Sequence, residues 1–554
     1  MSGVSVSVEH VVGNQIGKGL PHYFVELGDK DITSFETQNS LYRAEDYDHL
    51  LFCLEERWQD GDSAFDPLFV PSFDIIIVLF TLITVSDHYK ATVLTRNEPY
   101  NVNRVSYSKR AIKILRKYLG ILQQFDTTRY GTYKLELLRC QMFLAIETVN
   151  PHFKYLQNCR SVKNSTNENV YYKPDAMPEN IIRRGIVNPY RSFISCVETK
   201  NPIFGNIPVN FKLSQRGGLS NAILWTLANS IQEDDLLFHD AYEIWIPLFD
   251  IFISILEIRQ AYFLENEIVK KISKELRIQK LMESPICQFL SFVDSINFNP
   301  LFCEYVFVNC DYTLINRDAA LTIQPVYKGE TQPTEVYYQR VKYTKQFKAK
   351  VSMRIRRRFI SLCFNILGSV PTGLHLPKPR IHKKRLLVEM SRTLSTFQNI
   401  VEFEEFFTID YEEFMFHLIE RTLYELFKQD RRTIVTERPS LISGKDDLKT
   451  FFNEILALFK AGAFTPDVRI NGLPPHEIID NAGHVKNEKL RLQKIDVCIC
   501  TILRNVLQGQ AKPILVDCKK LLIKVSKRIN IANEKRLEID AAFPQLKPFI
   551  DSFI

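Results

Sequence analysis

The sequence lacks the short motifs that identify most enzymes and metal sites. No two of its 11 cysteines have C-x-x-C spacing, the histidines are scattered, and no Gly-x-Ser-x-Gly elbow is present. Metal binding and nucleophilic catalysis need such groups at fixed spacings. We therefore predict no catalytic residue, no metal, no cofactor and no small-molecule substrate. An enzyme whose site is assembled from distant residues is the weakest alternative.

Long apolar runs and a leader pattern are also missing. The most apolar stretch, Ile244–Leu256, is shorter than the roughly 20 residues of a membrane span, and Asp250 interrupts it. Met1–His10 shows no basic region followed by an apolar one, so we expect no secretory signal. The odd number of cysteines, mostly within apolar helical segments, favours reduced thiols in a cytosolic or nuclear protein. We expect no membrane partner.

The sequence is rich in apolar and aromatic residues. Hydrophobic residues make up 45% and aromatic residues 12% of 554 residues, enough for packed cores in about two to four domains. The segment 221–263 contains two of the three tryptophans, Trp225 and Trp245, and is apolar on every side. Such a helix belongs inside a packed body, so we predict a central buried hairpin there. Pro247 should start or kink its second helix.

Most of the remaining chain has helical periodicity. Ser72 is the predicted N-cap of a helix over Phe73–Val85, and Lys109–Leu122 is amphipathic, with Lys109, Lys113, Arg116 and Lys117 on its outer side. Leu135, Leu138, Met142 and Ile146 predict another helix, with Glu136 and Arg139 outside. Further helices are predicted at Asn266–Lys280, Arg354–Ile366, Phe414–Lys428, Leu448–Ala461, Leu490–Leu507 and Ile514–Ile529. The runs His22–Leu27 and Glu304–Val308 remain undecided between strand and turn.

These patterns predict an all-α fold, an irregular two-lobed helical bundle with at most a few short strands. We divide the chain into a flexible N-terminal tail at 1–20 and an N-terminal helical lobe at 21–320. The next part is a basic irregular segment and linker at 321–388, and the last is a C-terminal helical lobe at 389–554.

Acidic residues are absent from one long segment. Val336–Val388 contains no Asp or Glu and 14 Lys and Arg residues, whereas the whole chain carries a net charge of only +7. The remainder is therefore net negative by 7, and the molecule is an acidic body with a basic insert. The candidate contact residues are Lys345, Lys348, Lys350, Arg354, Arg356, Arg357, Arg358, Arg380, Lys383, Lys384 and Arg385.

Three interpretations of the basic segment stay open. It is a solvated face or one paired with the chain's own acidic stretch at 402–413, a nucleic-acid surface, or a surface for an acidic partner protein. The interleaved Tyr337, Tyr338, Tyr343 and Phe347 would suit stacking on single strands. If the segment binds DNA, charge reversal at residues 356–358 should weaken binding and flatten its salt dependence.

Several fold-bearing stretches carry a resemblance to a known family. They are His22–Leu27, Tyr47–Leu50, Phe73–Leu82, Leu135–Gln141, Asn188–Ser192, Ile223–Leu227, Glu243–Trp245, Glu304–Phe307, Asn309–Tyr312 and Pro325–Glu330. In this order the sequence resembles the budding-yeast-type non-SMC element five subunit of the SMC-five/six DNA-repair complex. The resemblance runs through residues 20–400 and is thinner beyond them.

The resemblance implies an all-helical, non-enzymatic subunit in the nucleus, associated with chromosomes. Its partner would be the non-SMC element six subunit, and the pair would recruit the SMC core to chromatin and restrain its ATPase. It would also support the SUMO-ligase arm of the complex, and DNA contact would come through the complex. The alternative is a stand-alone nucleic-acid-binding adaptor that uses residues 336–388.

Overall fold

The computed structural model describes a mostly helical chain. The described residues are 27–56, 68–84, 106–149, 208–214, 218–230, 236–268, 272–293, 297–308, 310, 322–323, 339–340, 350–397, 399–408, 413–428, 453, 456, 482–508, 520, 523–530 and 544–551. They include eighteen α-helices with defined bounds and four two-residue strands, which confirms the all-α class. The predicted tail at 1–20 and most of the helix predicted at Leu448–Ala461 lie outside them.

The chain divides into two compact units. Unit 1 comprises Met1–Phe298, Thr322–Arg340 and Asn365–Arg380, and unit 2 comprises Asn299–Leu321, Val341–Phe364 and Ile381–Ile554. The described helices of unit 1 are α1 (Asp29–Arg43), α2 (Tyr47–Glu56), α3 (Phe73–Ile83), α4 (Tyr107–Gln124), α5 (Thr127–Tyr130), α6 (Thr132–Val149), α7 (Val209–Ser214), α8 (Gly218–Asn229), α9 (Leu236–Tyr262), α10 (Lys274–Met282) and α11 (Pro285–Phe289). A 3-10 turn, Leu290–Phe292, follows α11.

Unit 2 holds the remaining described helices. They are α12 (Phe298–Val306), α13 (Lys350–Gly368, through Phe364), α14 (Lys383–Ser395), α15 (Ile400–Thr408), α16 (Glu413–Lys428), α17 (Ala482–Gln508) and α18 (Leu546–Asp551). Residues 523–530 are also helical. The strands are short: β1 (Thr322–Ile323) pairs antiparallel with β2 (Gln339–Arg340), and β3 (Leu376–Pro377) pairs with β4 (Arg380–Ile381).

Helix α3 is buried along its whole length, and side chains from other helices satisfy its N-terminus. The Ser72 hydroxyl accepts a hydrogen bond from the Ile75 N–H at 3.3 Å, as the sequence predicted. Gln141 of α6 accepts from the Phe73 N–H at 2.9 Å, and Gln38 of α1 accepts from the Ser72 N–H at 3.2 Å. Because the first N–H groups of a helix have no internal acceptor, these bonds are needed for burial.

The central hairpin forms as predicted from α8 and α9. Trp225 and Trp245 are buried, and the Trp245 ring stacks on Phe249 with centroids 5.6 Å apart. Phe252, one turn further along α9, meets Phe80 of α3 edge-on at 4.8 Å. Aromatic contacts of this kind stabilise beyond the buried area itself. The hairpin is therefore part of the core of unit 1.

Pro247, predicted to start or kink its helix, lies inside α9 and so does not start it. Two other local predictions need correction. The helix predicted at Asn266–Lys280 begins only at Lys274, because α9 ends in a π-helical turn and the Ser273 hydroxyl caps α10 by accepting from the Leu276 N–H at 3.2 Å. The undecided run Glu304–Val308 is the end of α12 and the turn after it.

Arg139 of α6 is not on an outer face as predicted. Its guanidinium lies 4.1 Å from the ring centroid of Tyr262 and 4.7 Å from that of Phe125, and it pairs with Glu136. Both charged side chains are less than one-fifth exposed. Planar guanidinium groups stack on aromatic faces, so the ion pair is partly covered by rings from neighbouring segments.

The core of unit 2 is rich in phenylalanine. Phe307, after α12, packs edge-on against Phe397 at 5.7 Å and Phe406 at 5.6 Å. Phe364 of α13 stacks on Phe414 of α16 with centroids 4.6 Å apart. The high phenylalanine content of the sequence is thus used to join successive helices of this unit.

Candidate basic interaction segment

The eleven predicted contact residues fall into three groups. Arg354, Arg380, Lys383, Lys384 and Arg385 are exposed. Arg356 and Arg357 are buried, and Arg358 is half-buried. Lys345 and Lys348 lie outside the described residues, and Lys350 is described only as the first residue of α13.

Arg356 is a structural residue of α13. Its side chain is fully buried, and its Nη1 donates to the carbonyl oxygens of Val306 at 2.8 Å and Val308 at 3.0 Å. Its Nε donates to Ser352 Oγ at 3.0 Å. The last carbonyls of a helix lack internal donors and carry partial negative charge, and Arg356 meets this need at the C-terminal end of α12.

Arg357 acts in the same way on another helix. Its side chain is 2% exposed, and its Nη1 donates to the Phe406 carbonyl in the last turn of α15 at 3.1 Å. Burial removes Arg356 and Arg357 from any surface that a phosphate could reach in this structure. The expectation that both are contact residues is therefore replaced by a structural role. Arg357 also joins the basic segment to the acidic stretch that follows it.

Helical spacing carried a signal for this burial. Met353, Ile360, Cys363 and Leu367 form the buried stripe of α13, and Arg356 falls on it, three residues after Met353 and four before Ile360. The composition of the segment does not reveal this position, because a buried arginine and an exposed arginine contribute the same charge.

The first turn of α14 keeps its positive charge at the surface. Lys383, Lys384 and Arg385 are its first three residues, and all three are exposed; we name them the basic turn. The N-cap His382 makes no side-chain capping bond, and the turn contains no acidic residue. Because the N-terminal end of a helix is already positive, this turn concentrates positive potential and favours an anion.

Two buried charged groups on α17 were not predicted. Lys494 is 3% exposed, and its Nζ donates to the Ser395 carbonyl at the end of α14 at 2.6 Å. Asp496 accepts from the backbone N–H groups of Gln545 and Leu546, each at 2.9 Å, and so holds the N-terminus of α18. Burial lowers the pKa of Lys494 to about 7 and raises that of Asp496 to about 6.

The depressed pKa of Lys494 predicts a pH-dependent stability. In the folded state the amine loses its proton near pH 7, whereas in the unfolded chain it keeps the proton to about 10.5. The unfolded state thus binds more protons at this group between these values, so Lys494 should make the free energy of unfolding of unit 2 rise with pH, by up to about 1.4 kcal/mol per pH unit. The buried thiols Cys498 and Cys500, whose pKa values burial raises, oppose this rise only near pH 9 and above. Lys494→Met should remove this rise.

Hydrogen exchange of α17 peptides between pH 7 and about 8.5, corrected for the intrinsic exchange rates, measures the effect below the range in which unfolded thiols titrate. Lys524→Met, at an exposed lysine of the helical stretch 523–530, is the matched control and should keep the rise. Equal pH slopes in the native chain and Lys494→Met would contradict the prediction.

The residues that the structure describes contain neither a metal-ligand cluster nor a membrane-spanning helix. Within them, no group of three or more His, Cys, Asp or Glu side chains could hold a metal ion. None of the helices that the structure describes is long and apolar enough to cross a bilayer. The eight cysteines in these ranges are free thiols, buried except for the half-buried Cys53.

These features define a helical scaffold: two helical units whose charged groups cap helices or form an exposed basic turn. The family model described as DNA repair proteins Nse5 and Nse6 matches residues 1–531. The chain is 38% identical over 507 residues to "Non-structural maintenance of chromosome element 5" of Saccharomyces cerevisiae, covering 90% of this chain and 88% of that protein. The chain therefore belongs to this family of DNA repair proteins and is of the Nse5 type, as the resemblance predicted.

Proposed function

We propose that this chain is a non-catalytic regulatory and loader subunit of the SMC-five/six complex, acting in the nucleus on chromosomes. The observation that carries the proposal is the identity of 38% along 90% of the chain with an Nse5 protein. Similarity of this extent covers both helical units, so it is not confined to one shared module. The packed aromatic cores and capped helices support a scaffold that works through its surfaces.

The partner is the non-SMC element six subunit, in a heterodimer. The family description, which names Nse5 and Nse6 together, supports this pairing. The heterodimer recruits the SMC core to chromatin, restrains its ATPase until DNA is engaged, and supports the SUMO-ligase arm of the complex.

Mass spectrometry of proteins that co-purify with the tagged chain from its own cells tests the proposal. At moderate salt and with nuclease present, we expect a second helical subunit and the SMC ATPases in near-stoichiometric amounts. If the chain is recovered alone, or its partners are lost whenever nuclease is added, the loader function is wrong.

The surface of the basic segment offers a contact for an anionic partner within this function. Among the described residues, its exposed cations are Lys378 and Arg380 in unit 1 and Arg354 and the basic turn in unit 2, with Arg358 half-buried. The basic turn is the strongest candidate, because three side-chain charges add to the positive end of a helix. The anion is an acidic surface of the complex or, in the alternative function as a nucleic-acid adaptor, a phosphate backbone.

The triple variant Lys383→Gln, Lys384→Gln and Arg385→Gln separates these functions. It should fold at least as well as the native chain, because it removes cations from a positive helix end. We expect a several-fold loss of co-purified SMC subunits in the loader function. If instead the isolated variant loses a DNA binding that weakens steeply with salt, while the SMC subunits still co-purify normally, the nucleic-acid adaptor function is favoured.

The matched control is Lys524→Gln, Lys527→Gln and Arg528→Gln, which removes three exposed cations from the helical stretch 523–530. If both triple variants behave alike in both assays, the basic turn has no specific role.

A further inference from the structure

The exposed side of α4 is a second concentration of positive charge, distant in the chain from the basic segment. Helix α4 contains five Lys and Arg residues and no Asp or Glu. Lys109, Lys113, Arg116 and Lys117 share one side and are exposed, and the exposed Arg129 follows on α5. We name these five residues the α4 basic face. Arg116 also lies 3.7 Å from the half-exposed carboxylate of Asp250 on α9, so the face remains net positive but not purely cationic.

The cations of this face are crowded. Lys109 and Lys113 are one helical turn apart, and so are Lys113 and Lys117. Each such pair of like charges destabilises the helix by about 0.2–0.5 kcal/mol. Burial, followed by the charges of Lys113 and Arg129, lowers the pKa of Lys117 to about 8. Arg129 of α5 is therefore close enough to act on the same surface. A bound anion would relieve this repulsion.

Gly120 lies in the middle of the same face. A Cβ at this position would meet nothing within 4 Å, so packing does not require glycine there. Inside a helix, glycine costs about 1 kcal/mol relative to alanine. Its absent side chain leaves the helix backbone open to close approach by a ligand. This observation is independent of the charges and points to the same surface.

The chemistry of the face selects the class of ligand. Its other exposed positions on α4 are Gln123 and Gln124, and none of its exposed residues is apolar. Cores of protein interfaces are enriched in aromatic side chains and depleted of lysine, whereas contacts to nucleic-acid backbones come from Lys, Arg and Gln. Lys109 to Lys117 spans about 12 Å, which matches three or four phosphates of one DNA strand.

We propose that the α4 basic face binds the phosphate backbone of duplex DNA without reading its sequence. This surface belongs to unit 1, and the proposal does not depend on the basic turn or on the loader function. It gives a member of a DNA repair family a direct contact with its substrate polymer through a rigid helix.

Fluorescence anisotropy of a 30-base-pair duplex with the full chain, from 50 to 200 mM salt, tests the proposal. Lys113→Gln with Lys117→Gln should weaken binding by roughly tenfold or more at 0.1 M salt and reduce the salt slope by about two. Gly120→Glu should weaken binding equally and raise the melting temperature, because a carboxylate then faces Arg116 and Lys117 within the helix. Lower affinity with higher stability cannot arise from misfolding.

Lys524→Gln with Lys527→Gln is the matched control and should bind the duplex like the native chain. Native binding by both α4 variants, or no duplex binding by the full chain, would overturn the proposal. Competition by polyglutamate as effective as by duplex of equal charge would assign the face to an acidic protein instead. If only the basic-turn variant loses duplex binding, the α4 assignment is likewise wrong. This conclusion does not depend on the result of the co-purification experiment.

Discussion

Arg356→Ala is expected to lower the free energy of unfolding of unit 2 by about 3–5 kcal/mol, from the cavity and the lost buried hydrogen bonds. The guanidinium is fully buried and donates to the Val306 and Val308 carbonyls and to Ser352. Truncation leaves two buried carbonyl oxygens at the end of α12 without this donor, removes the bond to Ser352 and opens a cavity. Arg354→Ala, two residues away and exposed, should change the same free energy by no more than about 0.5 kcal/mol.

Hydrogen exchange of peptides from α12 and α13 measures this difference within unit 2. Faster exchange in Arg356→Ala, with native exchange in Arg354→Ala, is the expected result, and equal exchange in both variants would disprove it. Charge reversal at residues 356–358 is not a valid test of DNA binding, because Arg356 and Arg357 are buried. Reversing either of them would put a carboxylate against helix-end carbonyls, so a loss of DNA binding would report a damaged fold.

Glu147→Ala is expected to destabilise unit 1 by a similar amount, about 3–5 kcal/mol. Glu147 and Arg259 are 2% and 6% exposed, and their Oε1 and Nε atoms lie 3.6 Å apart. The Arg259 guanidinium also lies 5.3 Å from the ring centroid of Phe143. Removing the carboxylate leaves a positive charge in the core without its acidic neighbour, which costs more than the ion pair contributes to stability.

The double variant Glu147→Leu with Arg259→Met should recover most of that loss, because two apolar side chains of similar size avoid desolvating any charge. Urea unfolding followed by tryptophan fluorescence is a suitable measurement, since Trp225 and Trp245, two of the three tryptophans, are buried in unit 1. Arg392→Ala, which breaks a largely exposed ion pair with Glu389 in unit 2, is the control and should leave this signal unchanged. A double variant as unstable as Glu147→Ala would contradict the argument.

Much of the fold followed from local patterns. The Ser72 cap, the amphipathic helix at 109–122 and the buried hairpin with Trp225 and Trp245 were all predictable, because each depends on residues within a few turns of one another. The π-helical turn after α9 moved the start of α10 to Lys274, and it carries no comparable short-range signal. Gln38 and Gln141, which complete the N-terminus of α3, were not predictable because they come from distant helices.

The candidate site was predictable only as a charge excess. Composition located the basic segment, but it could not separate Arg354, at the surface, from Arg356, in the core. The stripe of Met353, Ile360, Cys363 and Leu367 places Arg356 on the inner side of α13. Its carbonyl partners lie 48 and 50 residues earlier in the chain, where no periodicity connects them to α13.

The sequence by itself determined the all-α class, the capped and amphipathic helices, the charge segregation and the family, because these depend on local spacing or on matching residues in order. Only the tertiary structure decided which charges are structural and which remain at the surface. Arg356, Arg357, Glu147 and Lys494 are buried because helix-end carbonyls or an opposite charge from distant helices meet them there. The basic turn and the α4 basic face stay exposed, because no described element buries them.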